Sequence, residues 1–253
     1  MTISSKTWQA FIQRLAKINA AAGDEMRKYI ARYGLEDSQA LVRYAYALAT
    51  KYGEASASLA ADMYDAIAAL SGVSLPPAAA AATAAYGDTA AAMYATAASG
   101  SPEQVVAAIE RLTKLPGADT MLQNAIRDGA EFAWIPSGDT CAFCLAVASR
   151  GWQRASKKAL KNGHAEHIHG NCDCMYAIRH DSFTDVAGYD DGRRYREMYD
   201  DAEGRTPADK INAMRRKFYA ENSAEINAQK RDAYEKRRER ENSAAEEGDA
   251  GTP

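Results

Sequence analysis

Two short runs rich in cysteine and histidine decide how the chain is organised. The first reads Asp-Thr-Cys-Ala-Phe-Cys over residues 139–144, and the second reads His-Ile-His-Gly-Asn-Cys-Asp-Cys over residues 167–174. All four cysteines of the 253-residue chain lie in these runs, as do two of its four histidines, while His180 is expected at the surface. Because the rest of the sequence is alanine-rich and shows helical spacing of apolar residues, specific chemistry is expected here first.

The spacing within these runs predicts a structural metal site. Cys141 and Cys144 form a C-x-x-C pair whose two thiolates can bind one tetrahedral metal. Two more ligands come from His169, Cys172 and Cys174, so that the shell is either three cysteines with His169 or all four cysteines. Zinc suits both sets, and a shell without an open position would hold structure and would not catalyse.

Other uses of the same residues stay open. After release to an oxidising environment, Cys141 or Cys144 could form a disulfide with Cys172 or Cys174, although clustered cysteines in a reducing cytoplasm indicate a metal first. Reduced cysteines without a ligand are another interpretation. A redox C-x-x-C pair is disfavoured because the strand–helix context is missing, and a Cys144–His169 catalytic pair because a nucleophile needs one activated thiolate with an oriented base.

Composition places the chain among ordinary globular proteins. It is 47% hydrophobic and 26% charged, and its formal net charge is −3, so bulk electrostatics do not favour nucleic-acid binding. The N-terminus shows no charged start followed by an apolar run, and no apolar run approaches the roughly 20 residues that span a bilayer. We therefore expect a soluble protein made in the cytoplasm, without a membrane partner.

Helix signals fill the chain on both sides of the cysteine–histidine runs. Apolar spacing and the positions of Gly and Pro predict helices over 7–33, 37–52, 55–71, 78–98, 101–115, from 119 onward, over 193–202 and over 207–240. Their expected N-caps include Thr7, Asp37 and Ser101. Short aromatic or alternating runs at 131–136 and 174–179 predict two strands, with a turn and a short helix between them.

These elements predict a mainly helical α+β protein in four segments. Residues 1–130 form a helical N-terminal region, and residues 131–185 form a small α+β module clipped by the cysteines and histidine. Residues 186–242 form a long helical extension. Residues 243–253 are polar, small and acidic, and are expected to lack a fixed structure.

The order of the cysteines and histidine resembles the Mu F-type phage head morphogenesis family, also called minor capsid proteins. The resemblance lies in the C-x-x-C pair within Asp139–Cys144 and in the H-x-x-C-x-C pattern over His169–Cys174. Gly170 stands where that family commonly has proline, and Asp173 where it usually has arginine. The match covers about residues 131–180, and the helical region that precedes it also fits the family's layout.

This resemblance implies a virion structural protein that is made in the host cytoplasm and has no catalysis and no small-molecule substrate. Such proteins act near the portal vertex in procapsid assembly and in DNA packaging or delivery. Their partners would be the portal protein, the major capsid or scaffold protein and packaged DNA. The alternatives are a toxin-type or protease enzyme fused to a Mu F-like segment, or a zinc-clipped DNA-binding protein. No spare domain of adequate size follows residue 180, and the net charge of −3 argues against the last.

Two basic segments are secondary candidates for contact with nucleic acid. Arg154, Lys157 and Lys158 belong to a loop beside the cysteine runs, and Arg237 and Arg238 lie on the predicted C-terminal helix. Such side chains can neutralise DNA phosphates. The ordinary interpretation is a solvated loop, together with a surface helix supported by pairs of Glu and Arg four residues apart.

Overall fold

The computed structural model describes residues 2–3, 5–135, 142–157, 175–181, 185–186 and 190–249. Over these ranges the chain forms seven helices and five short strands, so the expected fold class, α+β and mainly α, is confirmed. The chain divides into two compact units, Met1–Asp200 and Asp201–Pro253.

The first unit contains six of these helices and all five strands. Its helices are α1 Ser5–Tyr33, α2 Ser38–Leu70, α3 Tyr86–Ala97, α4 Pro102–Asp128, α5 Ala142–Ala148 and α6 Asp190–Asp200. Its strands are β1 Thr2–Ile3, β2 Glu131–Ile135, β3 Gln153–Arg154, β4 Met175–Arg179 and β5 Asp185–Val186. The strands predicted at 131–136 and 174–179 are thus confirmed as β2 and β4, and the short helix between them as α5.

The predicted helix caps are confirmed in part. Asp37 caps α2, because its carboxylate accepts a hydrogen bond from the backbone N–H of Ala40 at 2.9 Å. Ser101 occupies the N-cap position of α4, but its hydroxyl donates to Glu103 and makes no cap bond. Thr7 is not an N-cap, because α1 already begins at Ser5.

α2 is one continuous helix where two were expected, so the predicted stop at Gly53 is wrong. Gly53 is buried, and a Cβ built on it would lie 3.0 Å from Thr83 Cγ2 and 3.3 Å from Pro116 Cγ. Because Gly53 has no side chain, Thr83 and Pro116 can pack closely against α2 at this position. The helix continues past Gly53.

α4 likewise continues through Pro116, where the sequence predicted a stop. Pro116 is buried within the helix, and a Cβ built on Gly117 would lie 2.5 Å from Ser56 Oγ. The small residue lets α4 cross closely over α2. A proline inside a helix costs about 3 kcal/mol, and the ring of Pro116 is buried against α2 at Gly53.

Residues 73–85 form no helix, although alanine content predicted one from residue 78, and we call them the alanine strap. Side chains of α2 and α4 bind its backbone. The amide of Asn124 accepts from the N–H of Ala79 at 2.9 Å and donates to the same residue's carbonyl at 2.8 Å. Thr120 Oγ1 accepts from the N–H of Ala81 at 2.9 Å. These bonds satisfy backbone groups that a helix would otherwise pair internally.

The main sheet has the strand order β3-β2-β4 and is antiparallel. β2 and β4 pair along their whole length, from Glu131 opposite Arg179 to Ile135 opposite Met175. A second, two-stranded sheet pairs β1 with β5 in parallel.

The main sheet shares a hydrophobic core with four of the helices. Buried residues from α1, α2, α4 and α5 cluster with those of β2 and β4, whereas a second cluster joins α1, α2, α3 and α4 alone. The strands therefore rest on the helical scaffold that precedes them in sequence. The division of the sequence into four segments stays a prediction.

The second unit contains one long helix, α7, over Pro207–Asp249. It starts with a reciprocal cap, in which the Thr206 N–H donates to Asp209 Oδ2 at 3.0 Å and the Asp209 N–H donates to Thr206 Oγ1 at 3.2 Å. It extends beyond the predicted range 207–240 into the acidic segment that was expected to lack structure. None of the helices described is long and apolar enough to cross a membrane.

Candidate functional site

The pairing of β2 with β4 brings both ends of the cysteine–histidine segment to one edge of the fold. Ile135, the last residue of β2, is the register partner of Met175, the first residue of β4. Residue 136 is covalently attached to one of these and residue 174 to the other. The segment 136–174, which contains α5 and β3 and which we call the cysteine–histidine loop, therefore begins and ends beside the paired residues Ile135 and Met175.

Cys144 is the only cysteine within the described ranges, and it belongs to the hydrophobic core. It lies on α5, which packs against β2 and α6, and its exposed fraction is 0%. Its thiol is therefore surrounded by apolar core residues.

The other predicted ligands, Cys141, His169, Cys172 and Cys174, lie outside the described residues. No group of three or more His, Cys, Asp or Glu side chains that could hold a metal occurs within the described ranges. Since four of the five candidate ligands are not among those residues, the metal shell and the disulfide alternative both stay predictions.

Aromatic side chains stiffen the two strands that carry this loop. Tyr176 of β4 makes edge contacts with Phe132, at 5.4 Å between ring centroids, and with Trp134, at 4.6 Å. Trp134 and Tyr176 are also register partners, and both are buried. Aromatic cross-strand pairs of this kind add to sheet stability beyond their buried area.

The opposite end of the sheet is held by Arg179. Its Nε donates to Glu131 Oε2 at 2.7 Å, and its guanidinium lies 4.5 Å from the ring centroid of Trp152. One face of the Trp152 ring is thus occupied by Arg179.

Only part of the predicted nucleic-acid surface lies within the described residues. Arg154 and Lys157 are solvent-exposed, and Arg154 lies opposite Glu131 in the sheet. Lys158 lies outside the described residues, and so do the side chains of Arg237 and Arg238 on α7. DNA contact by these five residues remains a prediction.

A network that sequence reasoning missed joins α2, the end of α4 and the end of β4. Asp128 Oδ2 accepts from the Tyr64 hydroxyl at 2.8 Å, and Arg127 donates to both carboxylate oxygens at 2.7 Å. Arg127 also donates to the carbonyls of Pro76 and Pro77 in the alanine strap. We call Tyr64, Arg127, Asp128 and His180 the Tyr64 network.

His180 was expected at the surface, but it is half-buried in this network. Its ring contacts the edge of Tyr64 at 5.5 Å between centroids. It follows β4, whose first residue, Met175, borders the cysteine–histidine loop. Because β-strands rise about 3.4 Å per residue, the length of β4 separates His180 from residue 174, the last of the predicted ligands.

The protonation states of Tyr64 and Asp128 favour the hydrogen bond between them. The hydrogen bonds from Arg127 lower the pKa of Asp128, which keeps this carboxylate charged. Burial, followed by the hydrogen bond to Asp128, raises the pKa of Tyr64, so its phenol stays a donor. Burial lowers the pKa of His180. Tyr64, the adjacent pair Arg127 and Asp128, and His180 lie more than 50 residues from one another, so no motif spacing could have indicated the network.

Comparison with known families shows to which protein family the chain belongs. The VG15 protein family matches residues 2–202, which is most of the chain and includes the whole cysteine–histidine segment. The chain belongs to the VG15 family. It is therefore a phage protein. The match ends close to the boundary of the first unit, Met1–Asp200, so that α7 lies outside the family region. Comparison with curated proteins and with solved structures gave no significant match.

Proposed function

We propose that this phage protein is a minor capsid protein that acts in head morphogenesis. In this role it takes part in procapsid assembly near the portal and in DNA packaging or delivery, as a structural component without catalysis. The observation that carries the proposal is the C-x-x-C and H-x-x-C-x-C pattern over 141–174, in a chain that belongs to a phage family.

The fold supports this role in physical terms. The β2–β4 register joins the ends of the cysteine–histidine loop, and the sheet shares its core with α1, α2 and α4. The strands that flank the loop are therefore packed on a helical body, as suits a component of an assembly. Its partners in this proposal are the portal protein and the major capsid or scaffold protein, with packaged DNA as a further contact, and its location is the virion.

The proposal is tested in the phage that encodes the chain. Quantitative mass spectrometry of purified virions and procapsids should find the chain in few copies relative to the major capsid protein. A stop codon early in the gene should reduce the yield of DNA-filled heads, and a plasmid copy of the wild-type gene should restore it. Absence of the chain from both particles, together with a normal yield of infectious phage without it, would refute the proposal.

We further propose that the cysteine–histidine loop holds one structural zinc ion. Elemental analysis of the purified chain should find about one zinc per chain, lost in Cys172→Ser and kept in His180→Gln, a histidine outside the predicted shell. Comparison of His169→Gln with Cys174→Ser then shows which residue completes the shell. Absence of metal together with absence of reactive thiols would instead support the disulfide alternative, and absence of metal with four reactive thiols would contradict both.

A further inference from the structure

A trough runs along the surface of the first unit, between the first half of α1 and the middle of α2. It consists of two cavities, of about 390 and 440 Å³, which share Arg14, Leu59 and Asp62 as lining residues. On α1 the lining extends from Lys6 to Ile18. At 1.5 Å per residue this is about 18 Å, or roughly three turns of a docked helix.

The floor of the trough is apolar, and its sides include small residues. Phe11 of α1 and Leu59 and Met63 of α2 form the floor as the outer layer of the core. Ala10 and Ala66 line the sides, where a larger residue would narrow the opening. Small wall residues let a third helix approach to the 8–10 Å interaxial distances of ordinary helix packing. A methionine in the floor adapts to different apolar side chains.

One wall of the trough carries positive charge. Lys6, Arg14 and Lys17 of α1 line it, and all three are solvent-exposed. None of them forms an ion pair with a described residue, in contrast with Arg27 further along the same helix, which pairs with Asp24 at 2.7 Å. The opposite wall, on α2, contributes a single carboxylate, Asp62. The trough thus combines an apolar channel with a row of available cations on one side.

We infer that this trough binds an acidic amphipathic helix of a partner protein. Apolar side chains of that helix, at helical spacing, would lie on Phe11, Leu59 and Met63, while its Glu or Asp residues face the cations of α1. This is the helix-in-groove mode of recognition, in which burial supplies affinity and charge supplies orientation. Asp62 on the other wall selects a basic residue at the opposite edge of the same helix.

The shape of the trough favours such a helix over nucleic acid. A phosphate backbone gains nothing from an apolar floor and is repelled by Asp62, whereas an amphipathic helix uses both features. The inference rests on the geometry of α1 and α2 and not on the proposed role in the head. It can therefore fail while that role stands, and it can succeed while that role fails.

The test uses the full chain and a fluorescein-labelled synthetic peptide of about three to four helical turns, with leucines on one face and glutamates along one flank. Fluorescence anisotropy should show saturable binding that weakens as salt rises. The double substitution Arg14→Glu with Lys17→Glu should weaken binding roughly tenfold or more. Lys28→Glu, an exposed cation of α1 outside the trough, should change the affinity less than about twofold.

A second variant separates shape from charge. Ala66→Trp leaves every charge in place but fills the channel, and it should also weaken peptide binding roughly tenfold. Far-UV circular dichroism of each variant checks that the helices are intact. No binding by the wild type, equal binding of a peptide with lysine in place of glutamate, or equal binding by the Arg14/Lys17 variant would each overturn the inference. Direct binding of random-sequence duplex DNA that competes with the peptide on the wild type, and that is lost in the Arg14/Lys17 variant, would assign the surface to nucleic acid and also overturn the inference.

Discussion

Removal of the Asp128 carboxylate, as in Asp128→Ala, should destabilise the first unit by about 3 kcal/mol. The larger part comes from the Tyr64 hydroxyl, because Tyr64 is fully buried and would lose its acceptor at 2.8 Å. A buried donor left without a partner costs about 1–3 kcal/mol. The bonds from Arg127 add less, about 0.5–1 kcal/mol, because that side chain is 33% exposed and keeps its two bonds to the alanine strap.

Urea unfolding of the full chain, followed by tryptophan fluorescence, measures this change. All three tryptophans, Trp8, Trp134 and Trp152, belong to the first unit, so the signal reports on the part that contains the network. Tyr64→Phe is the matched control, because it removes the donor and leaves Asp128 bound to Arg127. It should cost about 1 kcal/mol, and the double variant should cost less than the sum of the two single changes.

The pH dependence of the same difference gives an independent check. Hydrogen bonds from Arg127 hold the pKa of Asp128 below its ordinary value. A carboxylate whose pKa is lowered in the folded state contributes stability that is present above its unfolded pKa, about 3.9, and that is lost as pH falls through the folded pKa. The difference in the free energy of unfolding between wild type and Asp128→Ala should therefore be largest near pH 7 and should decrease in acid. A gap below about 0.5 kcal/mol at pH 7, or additive costs in the double variant, would refute this account of the network.

Two further predictions concern the contacts of α4 with α2 and with the alanine strap. Gly117→Ala should lower the thermal midpoint and the free energy of unfolding, by about 1–3 kcal/mol, because its Cβ would lie 2.5 Å from Ser56 Oγ. The control is Gly87→Ala, which should not destabilise the fold because nothing lies within 4 Å of its Cβ. Equal midpoints for the two variants would contradict the close crossing of α4 and α2. Asn124→Ala removes both hydrogen bonds to Ala79 and should cost about 2 kcal/mol while speeding limited proteolysis within the strap; unchanged proteolysis would show that other contacts hold the strap.

The elements that could be predicted from sequence are those whose signals are local. β2 is a short aromatic run that precedes Pro136, and β4 alternates in polarity, so both were recognisable without knowledge of their partners. The carboxylate of Asp37 bonds to an N–H three residues ahead, and this too is a local event. Such features depend on a few neighbouring residues, and contacts with distant segments did not change them.

The errors arise where a distant segment decides the local structure. Gly53 and the Pro116–Gly117 pair look like helix stops, but the same residue types are needed where helices approach closely, and the sequence does not separate the two uses. Alanine content predicted a helix over 78–98, of which residues 86–97 form α3 and residues 78–85 belong to the alanine strap. The side chains of Asn124 and Thr120, about 40 residues later in sequence, bind its backbone instead.

The same distinction applies to the two candidate sites. The cysteine–histidine runs follow a spacing that can be read along the chain, whereas the trough arises only when two separate helices are placed side by side. Arg14 and Lys17 show no motif in sequence, and neither does the apolar floor at Leu59, because core residues and trough residues share one helical periodicity. That these cations form no ion pair with a described residue can be recognised only when the spatial neighbours of each are known.

The arrangement of the sheet also indicates what a metal could and could not contribute. The core residues of α1, α2 and α4 lie outside the cysteine–histidine loop, as does the Arg179–Glu131 pair, and they support β2 and β4 together with α5 of the loop. The ends of the loop are already joined by the pairing of Ile135 with Met175. A bound zinc ion would therefore order residues between these strand ends, and its stabilising effect would be largely local. The function of the loop would then depend on the metal even where the stability of the helical unit does not.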